Sequence, residues 1–375
     1  MAENLFKFLF IDYWRSIDKK ILLCFFLLFF LGLFFSFSST SSLAGERLNK
    51  DYYFFFTKHL TYTFLAITIM ILISIIKTEL IIKFVVPLFV VSFIFLALVP
   101  IFGVEVKGAK RWLDFYFFRL QPIEILKPIF ILMTVQILTF KKLENSQLRY
   151  LLSFLLLSSV IILLIDQPDL GQTILLIGSW VATVFVSGVS LLYIIIFFSL
   201  FLLSLSSLLF FLPEKFGYIT NRLIAFFDPS QGDKFQSSSA LNAIKLGGFT
   251  GQGMGEGILK ESVPEAHTDY VIAVISEEYG SLATIMILII FLYISFRIIK
   301  NCFNQENQFL KFSLSGLATL LIFQTFIHAG VNTNLLPTTG MTLPFLSYGG
   351  SSLIGSAILA GLVLNFTKNK AYLYD

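Results

Sequence analysis

Residues Leu151 to Ile165 read LLSFLLLSSVIILLI, a run that contains no charged residue. A membrane-spanning β-strand would instead alternate apolar and polar side chains over a shorter segment. A membrane-spanning helix needs about 20 mostly apolar residues to cross a hydrocarbon layer of about 30 Å. The run therefore predicts a transmembrane helix that begins near Tyr150, and with it an all-α fold.

The composition of the whole chain supports this class. Of 375 residues, 57% are hydrophobic and only 13% are charged, against about 25% charged residues in a soluble protein. The chain is therefore predicted to be a polytopic membrane protein with about ten transmembrane helices, and its first apolar run is expected to be a retained helix. The predicted spans begin near Lys20, Phe54, Phe84, Pro122, Tyr150, Gly171, Leu191, Asp269, Phe309 and Thr342.

No internal repeat or soluble second domain interrupts the sequence, which predicts a single membrane domain over residues 1–375. Its only sizeable extramembrane piece is the segment of about residues 213–268, between spans seven and eight. Helical periodicity at Arg222 to Phe227 and at Ser239 to Leu246 predicts that this segment, hereafter the lid, is folded.

The distribution of lysine and arginine in the short loops predicts that both termini are cytoplasmic. The predicted outer loops are basic as well, and include Lys110, Arg111 and Arg222. Long loops cross a membrane regardless of charge, which would account for the lid. Alternatively, these cations serve an anionic ligand, such as a phosphate, at the outer face.

An acidic residue stands at the mouth of the eighth predicted span. Pro264-Glu-Ala-His-Thr-Asp269 ends a polar segment, and an apolar run with Glu277 and Glu278 follows. Ionisable groups at such positions are functional-site candidates by default. Asp269 is therefore the first candidate for a functional-site residue.

A second charged pair opens the fourth span. Glu124 and Lys127 are three residues apart, so they share one helix face and can neutralise each other. Either charge alone near the bilayer centre would cost about 3 kcal/mol on insertion scales. The pair either holds helices together or belongs to a polar pathway with Arg111 and Gln121.

Residues 336–352 interrupt apolar sequence with prolines, glycines and hydroxyl side chains. Irregular backbone at membrane depth is tolerated where it lines a cavity or packs on protein. Broken helices of this kind build substrate sites, in transporters as well as in enzymes.

Two other polar segments are less specific. The glycine-rich segment 247–257 has neither P-loop nor dinucleotide-binding spacing, and favours a tight irregular loop. The string Asp166-Gln-Pro-Asp-Leu-Gly171 is compatible with a capped helical hairpin.

Five strings, taken together, resemble the FtsW/RodA (SEDS) family of bacterial peptidoglycan polymerases. They are Gly108-Ala-Lys-Arg-Trp112, Gln121-Pro-Ile-Glu124 with Lys127, Gln167-Pro-Asp-Leu-Gly171, Pro264 to Asp269, and Leu343-Pro-Phe-Leu-Ser-Tyr-Gly-Gly-Ser-Ser352. Three strings are similar to the cell-division (FtsW) branch: Gly330-Val-Asn332, Leu336-Pro-Thr338 and Gly340-Met-Thr-Leu343. Residues Arg222 through Pro229 and the glycine-rich segment look similar to the alphaproteobacterial form of that branch.

The resemblance implies an inverting glycosyltransferase that polymerises lipid II, an undecaprenyl-diphosphate-linked disaccharide-peptide. It would act at the outer face of the bacterial cytoplasmic (inner) membrane, at the division septum. Asp269 would be the general base. A diphosphate leaving group needs neutralised charge, which outer cations supply. The residues implied in substrate binding are Arg111, Lys110, Gln121, Glu124, Lys127, Arg222, His267, Thr268, Ser347 and Ser351.

The resemblance also implies partners: a class B penicillin-binding protein, which is the division transpeptidase, and other membrane proteins of the divisome. No nucleic acid is expected. A divalent cation, Mg²⁺ or Mn²⁺, bridging Asp269 and the diphosphate is suggested by other phosphate chemistry, although no metal-ligand spacing supports it. The alternatives are a lipid II flippase, an elongation-type (RodA-like) polymerase, and a scaffold that recruits division proteins.

Overall fold

A computed structural model describes residues 13–39, 53–106, 108–116, 118–211, 213–227, 235–259 and 262–369. Helices dominate this part of the chain, which confirms the all-α prediction. They are α1 Tyr13–Ser16, α2 Lys19–Ser39, α3 Phe54–Ile75, α4 Thr78–Phe102, α5 Pro122–Leu138, α6 Ser146–Asp166, α7 Leu170–Val186, α8 Leu191–Phe211, α9 Pro213–Phe227, α10 Phe235–Gly247, α11 Val271–Phe303, α12 Gln308–Asn332 and α13 Gly350–Phe366.

Among the described residues, six helices are long and apolar enough to cross a membrane: α2, α3, α4, α6, α11 and α12. The apolar helices α7, α8 and α13 are shorter. Helix α5 carries the buried charges Glu124 and Lys127. A helix therefore corresponds to each predicted span, while the number of segments that cross the bilayer stays a prediction.

The last predicted window begins too early. The sequence predicts its start near Thr342, but helix α13 begins at Gly350. Residues 333–349 are non-helical, as the interruption at residues 336–352 predicts. The irregular backbone passes Pro344 and a left-handed Phe345 (φ 66°), neither of which suits a helix interior.

A small antiparallel sheet follows α4, and hydropathy does not predict it. Its strands are β1 Val104–Val106, β2 Ala109–Asp114 and β3 Arg119–Leu120, in the order β1-β2-β3. Gly108, at φ 77°, lies in the turn between β1 and β2. The sheet carries Arg111 on its central strand.

Two helices, α9 and α10, lie in the lid, where the sequence predicts helical segments. Helix α10 packs against α11, and the lid contributes Ala240, Ala243 and Val263 to a small apolar cluster with Tyr270, Ala273 and Val331. The lid is therefore attached to the start of α11. The chain ends that carry part of the topology prediction, residues 1–12 and 370–375, lie outside the described residues.

The main apolar core lies between the long helices. The charged part of α5 lies against this core, because α13 approaches α5 closely. A Cβ atom on Gly355 of α13 would lie 2.3 Å from the carbonyl oxygen of Glu124. Glycine is therefore required at position 355 for α13 to pack directly on the backbone of α5. This packing buries Glu124 at the end of the core that faces the sheet and the lid.

Candidate functional site

A cavity of about 450 Å³ lies between the sheet, the lid and the ends of several helices. Six of the residues predicted from the sequence line it. They are Arg111, Gln121, Glu124, Arg222, Thr268 and Asp269. Segments that are distant in the sequence therefore converge on one polar site.

Asp269 lies directly before Tyr270, the N-cap residue of α11. Its backbone is fixed by Asn332 at the end of α12. The Asn332 side chain donates from Nδ2 to the carbonyl oxygen of Asp269 at 3.0 Å and accepts at Oδ1 from the N–H of Ala273 at 3.1 Å. Because Asn332 is fully buried, these bonds hold the start of α11 against α12.

Gly340 lies next to both Asp269 and Arg111. A Cβ atom on Gly340 would stand 3.5 Å from Asp269 Oδ2 and 3.6 Å from Arg111 Nη1. The backbone at Gly340 is left-handed, with φ 68°, a conformation that glycine adopts without strain. The carboxylate of Asp269 and the guanidinium group of Arg111 thus lie in the same part of the cavity, next to Gly340.

Arg111 is anchored on the turn between α6 and α7. Its Nε donates to the carbonyl oxygen of Gln167 at 3.2 Å, and its Nη2 donates to that of Pro168. The buried Asp169 carboxylate lies 3.8 Å from Arg111 Nε and accepts from Gln121 Nε2 at 3.4 Å. The turn, interpreted from sequence only as a capped hairpin, therefore positions the cation.

Arg222 brings a second guanidinium group to the cavity from lid helix α9. Burial, together with the charge of Arg111, lowers the pKa of Arg222, although an arginine remains protonated at neutral pH. Its buried Nη1 has no hydrogen-bond partner in the part of the chain that the structure describes. A buried charged donor is costly without a partner, so this group is suited to an anionic ligand.

Tyr218, one helical turn before Arg222 on α9, also lines the cavity. Burial raises the pKa of its phenol, against the opposing effect of the Arg222 and Arg111 charges. Its buried hydroxyl likewise has no hydrogen-bond partner among the described residues. The lid thus presents a neutral donor beside a cation.

The ion pair predicted on α5 is present. Lys127 Nζ lies 2.9 Å from Glu124 Oε2, and both side chains are at most 4% exposed. Glu124 Oε1 accepts from Gln172 Nε2 at 2.7 Å, and Lys127 Nζ donates to Gln324 Oε1 at 3.1 Å. Glu124 lines the cavity whereas Lys127 does not, so the pair links the cavity to the helix core.

Four other predicted binding residues do not line the cavity. Lys110 is exposed on β2, because successive side chains of a strand point to opposite faces. The His267 ring stacks on Phe55, with centroids 5.9 Å apart. Their proposed contact with substrate stays a prediction.

Ser347 and Ser351 are the other two, and their hydroxyl groups bind backbone. Ser347 Oγ donates to the carbonyl oxygen of Thr268 at 2.6 Å, while Ser351 Oγ accepts from the N–H of Gln121 at 2.9 Å. Both serines are buried. They hold residues that line the cavity, which a sequence pattern of hydroxyls does not distinguish from direct binding.

The sequence interpretation missed Asp169, Tyr218, Asn332 and Gly340 as site residues. Asp169 gave a signal, since it is an acid between two apolar spans. Asn332 and Gly340 belong to strings that are similar to the division branch, but that similarity does not assign either residue to the site. Tyr218 gave no signal, because its role depends on neighbours far away in the chain.

The fit of a divalent cation is limited by the available ligands. Mg²⁺ prefers six oxygen ligands, several of them water or substrate phosphate. Among the described residues, no group of three His, Cys, Asp or Glu side chains is placed to hold a metal ion. The cation stays a prediction, and no reaction step is assigned to it.

Comparison with known proteins identifies a family model that matches most of this chain. The family model described as "Cell cycle protein", which covers FtsW, RodA and SpoVE, matches residues 18–372. A protein of Caulobacter vibrioides named "Probable peptidoglycan glycosyltransferase FtsW" is 31% identical over 96% of this chain and 92% of its own length. The protein of the same name from Pasteurella multocida is 34% identical over 92% of this chain and 89% of its own length.

Solved structures share the fold. A chain from work described as "Structural coordination of polymerization and crosslinking by a peptidoglycan synthase complex" superposes with a TM-score of 0.76, at 25% identity, over 96% of this chain and all of that chain. The rod shape determining protein RodA of Thermus thermophilus superposes with a TM-score of 0.69, at 24% identity, over 94% of this chain and 97% of its own. The helical arrangement is thus that of known membrane proteins.

Proposed function

The chain belongs to the FtsW/RodA/SpoVE family of cell cycle proteins, and we propose that it is a peptidoglycan glycosyltransferase of the cell-division type. Its proposed substrate is lipid II, at the outer face of the bacterial cytoplasmic membrane. The names of the similar proteins from Caulobacter and Pasteurella support the activity.

Asp269 is the proposed general base. The acceptor hydroxyl must lose its proton as it attacks the anomeric carbon of the donor, and a carboxylate within hydrogen-bond reach can accept that proton. The bond between the anomeric carbon and the diphosphate oxygen breaks as the new glycosidic bond forms. A single displacement of this kind inverts the anomeric centre.

The two cavity arginines are proposed to bind the diphosphate. A diphosphate leaves as an anion and needs neutralised charge more than it needs a proton. Arginine suits this role because its planar guanidinium group binds phosphate oxygens in pairs. One carboxylate therefore suffices here, whereas most glycoside hydrolases use two.

The observation that carries the proposal is the pairing of unlike groups in one cavity. The Asp269 carboxylate and the Arg111 guanidinium group both flank Gly340, and Arg222 adds a buried donor without a protein partner among the described residues. The reaction needs a group that accepts the proton of the acceptor hydroxyl and cations that neutralise the leaving diphosphate. Asp269 supplies the first, and Arg111 and Arg222 supply the second.

The proposed partner is a class B penicillin-binding protein, the transpeptidase that crosslinks the new glycan. The similar chain described with a peptidoglycan synthase complex supports a partner of this kind. We further propose cytoplasmic termini, location at the division septum and contact with other divisome membrane proteins. The flippase and the elongation-type polymerase are not favoured by the relatives, which carry the division-type name.

The decisive experiment is polymerisation of lipid II by the purified full-length protein and by its Asp269→Asn and Asp269→Ala variants. Both variants should insert in the membrane and remain folded while glycan synthesis falls by about a hundredfold or more, since general bases contribute about 10²–10⁴-fold. Glycan length on gels and thermal unfolding provide the two readouts.

Asp114→Asn is the matched control. Asp114 is an acid of the same sheet as Arg111, but it is exposed and pairs with Arg119 at 3.1 Å, an interaction worth about 0–1 kcal/mol at a surface. Its variant should polymerise normally. Near-normal synthesis by Asp269→Asn would refute the assignment of the base.

A further inference from the structure

The glycine-rich segment 247–257 does not line the cavity. Instead it meets α11 at a break in that helix, where Gly280 has φ 81° and ψ 170°. An α-helical residue has φ near −63° and ψ near −42°. No proline lies at this point, so the break has a different cause from the usual kink.

The amide groups after the break bind the glycine-rich segment. In a continuous helix, the N–H groups of Ser281 and Leu282 would donate to carbonyls four residues earlier. Here Ser281 donates to the carbonyl oxygen of Gly248 at 3.0 Å, and Leu282 donates to that of Phe249 at 3.3 Å. The segment thus takes the place of the preceding helical turn.

The carbonyl groups before the break likewise bind the glycine-rich segment in place of their helical partners. Glu277 and Glu278 would accept from Ser281 and Leu282 in a continuous helix. Instead, Glu277 O accepts from the N–H of Gln252 at 2.9 Å, and Glu278 O from that of Gly253 at 3.0 Å. These four backbone groups, two N–H groups after the break and two carbonyl groups before it, are all satisfied by the segment, as buried backbone requires.

Glycine is required on both sides of this contact, hereafter the splice. A Cβ atom on Gly280 would lie 2.2 Å from Phe249 O, and one on Gly251 would lie 2.2 Å from Glu278 O. A Cβ atom on Gly247 would lie 1.9 Å from a carbonyl oxygen of α11. These distances are far inside van der Waals contact, so no larger residue fits without displacing backbone.

The splice divides α11 into a short piece, residues 271–279, and the long remainder of the span. The short piece begins two residues after Asp269. We infer that the splice is a positioning device for Asp269, because it ties the far end of this short helix, whose first residues adjoin the proposed base, to the lid. This inference rests on the proposed function of Asp269.

The same backbone has a second complete arrangement. If the glycine-rich segment withdraws, Ser281 and Leu282 can donate to Glu277 and Glu278 and close a continuous helix. In both arrangements the backbone groups of Glu277, Glu278, Ser281 and Leu282 have hydrogen-bond partners. The helix can therefore exist in two states, and contact with the lid can change the populations of those states. Gly280 favours the spliced arrangement, because glycine is about 1 kcal/mol less favourable than alanine inside a helix and tolerates positive φ.

Gly280→Ala should therefore favour the continuous helix. In the full-length protein in nanodiscs, we expect kcat for lipid II polymerisation to fall by about tenfold or more and KM to change by less than about threefold, since a misplaced catalytic group costs rate more than binding. Gly255→Ala is the matched control. Gly255 has φ 82° in the same segment, but apart from its two chain neighbours no atom of the described residues lies within 4 Å of its Cβ position.

Residue-resolved amide hydrogen exchange separates positioning from misfolding. In Gly280→Ala, the amides of Gln252 and Gly253 should exchange faster, while those of Ser281 and Leu282 stay protected by helical bonds. Loss of protection at all four amides would indicate local unfolding and overturn the inference, as would unchanged protection at Gln252 and Gly253. A wild-type protein without polymerase activity would instead refute the proposed function, and the exchange pattern would still decide whether the splice has two arrangements.

Discussion

Asn332 illustrates how a residue that does not line the cavity determines its geometry. It satisfies one backbone carbonyl at Asp269 and one N–H at Ala273, and so fixes where α11 begins. Removing its amide would take away the bond to the Asp269 carbonyl and leave the N–H of Ala273 with only its bond to the Tyr270 carbonyl oxygen, at a cost of about 1–3 kcal/mol for the unpaired carbonyl. The proposed base would then lose its support.

We predict that Asn332→Ala lowers both stability and the rate of polymerisation, the latter by about tenfold. Asn365→Ala is its control: Asn365 is equally buried and donates to the carbonyl oxygens of Ile73, Ser74 and Ile76, away from the cavity. Thermal unfolding and kcat should be measured together. Equal loss of kcat in both variants would show that Asn332 acts through stability alone.

For single residues, the sequence predicts an ionisable side chain of the site better than the residues that hold it in position. Asp269 stands out because a charge at the border of an apolar run is rare. Asn332 stands out only as part of the string Gly330-Val-Asn332, because asparagine at a helix end by itself predicts no more than a local cap. Its bond to Asp269 joins residues 63 positions apart.

At the scale of the element, α5 tests whether a buried ion pair has a role beyond packing. We predict that Glu124→Gln and Lys127→Met each lose about 3 kcal/mol of stability, since each leaves an uncompensated buried charge. The double variant should recover part of that loss, as neighbouring residues are not additive. Thermal unfolding in detergent measures the stabilities.

Activity decides what the pair does. A double variant that recovers stability but not polymerisation would show that Glu124 contributes to the cavity it lines. The exposed pair Asp114 and Arg119 is the control, and its double-variant cycle should give a coupling below about 1 kcal/mol. Purely additive losses at Glu124 and Lys127 would contradict the pairing.

Helices were predictable from the sequence, but their breaks were only partly so. Apolar windows find α6 because averaging over many residues favours a long uniform run. The same averaging hides the break at Gly280, which depends on partners in the segment 248–253. It also hides β1 to β3, because three short strands produce no window-length signal.

At the scale of the whole molecule, the lid connects the cavity to anything that binds outside it. The lid supplies Arg222 to the cavity and packs through α10 on α11. A partner that prefers one lid arrangement would shift the population of competent sites.

We predict that the class B transpeptidase raises polymerisation even when its own active site is blocked. The increase should be about tenfold if the competent arrangement is about 10% populated in the isolated chain. Polymerisation of lipid II with and without the blocked partner, at concentrations where the complex is demonstrated, measures it. Equal rates would leave the partner only a tethering role.

The charge asymmetry of the cavity has a pharmacological consequence. Its volume of about 450 Å³ lies within the about 300–1,000 Å³ that drug-sized molecules occupy. A blocking compound would place a dianionic, non-hydrolysable head at Arg111 and Arg222 and a neutral or basic group toward Asp269. A compound with acidic groups at both ends would be repelled by Asp269, so selectivity would follow from the order of charges along the molecule.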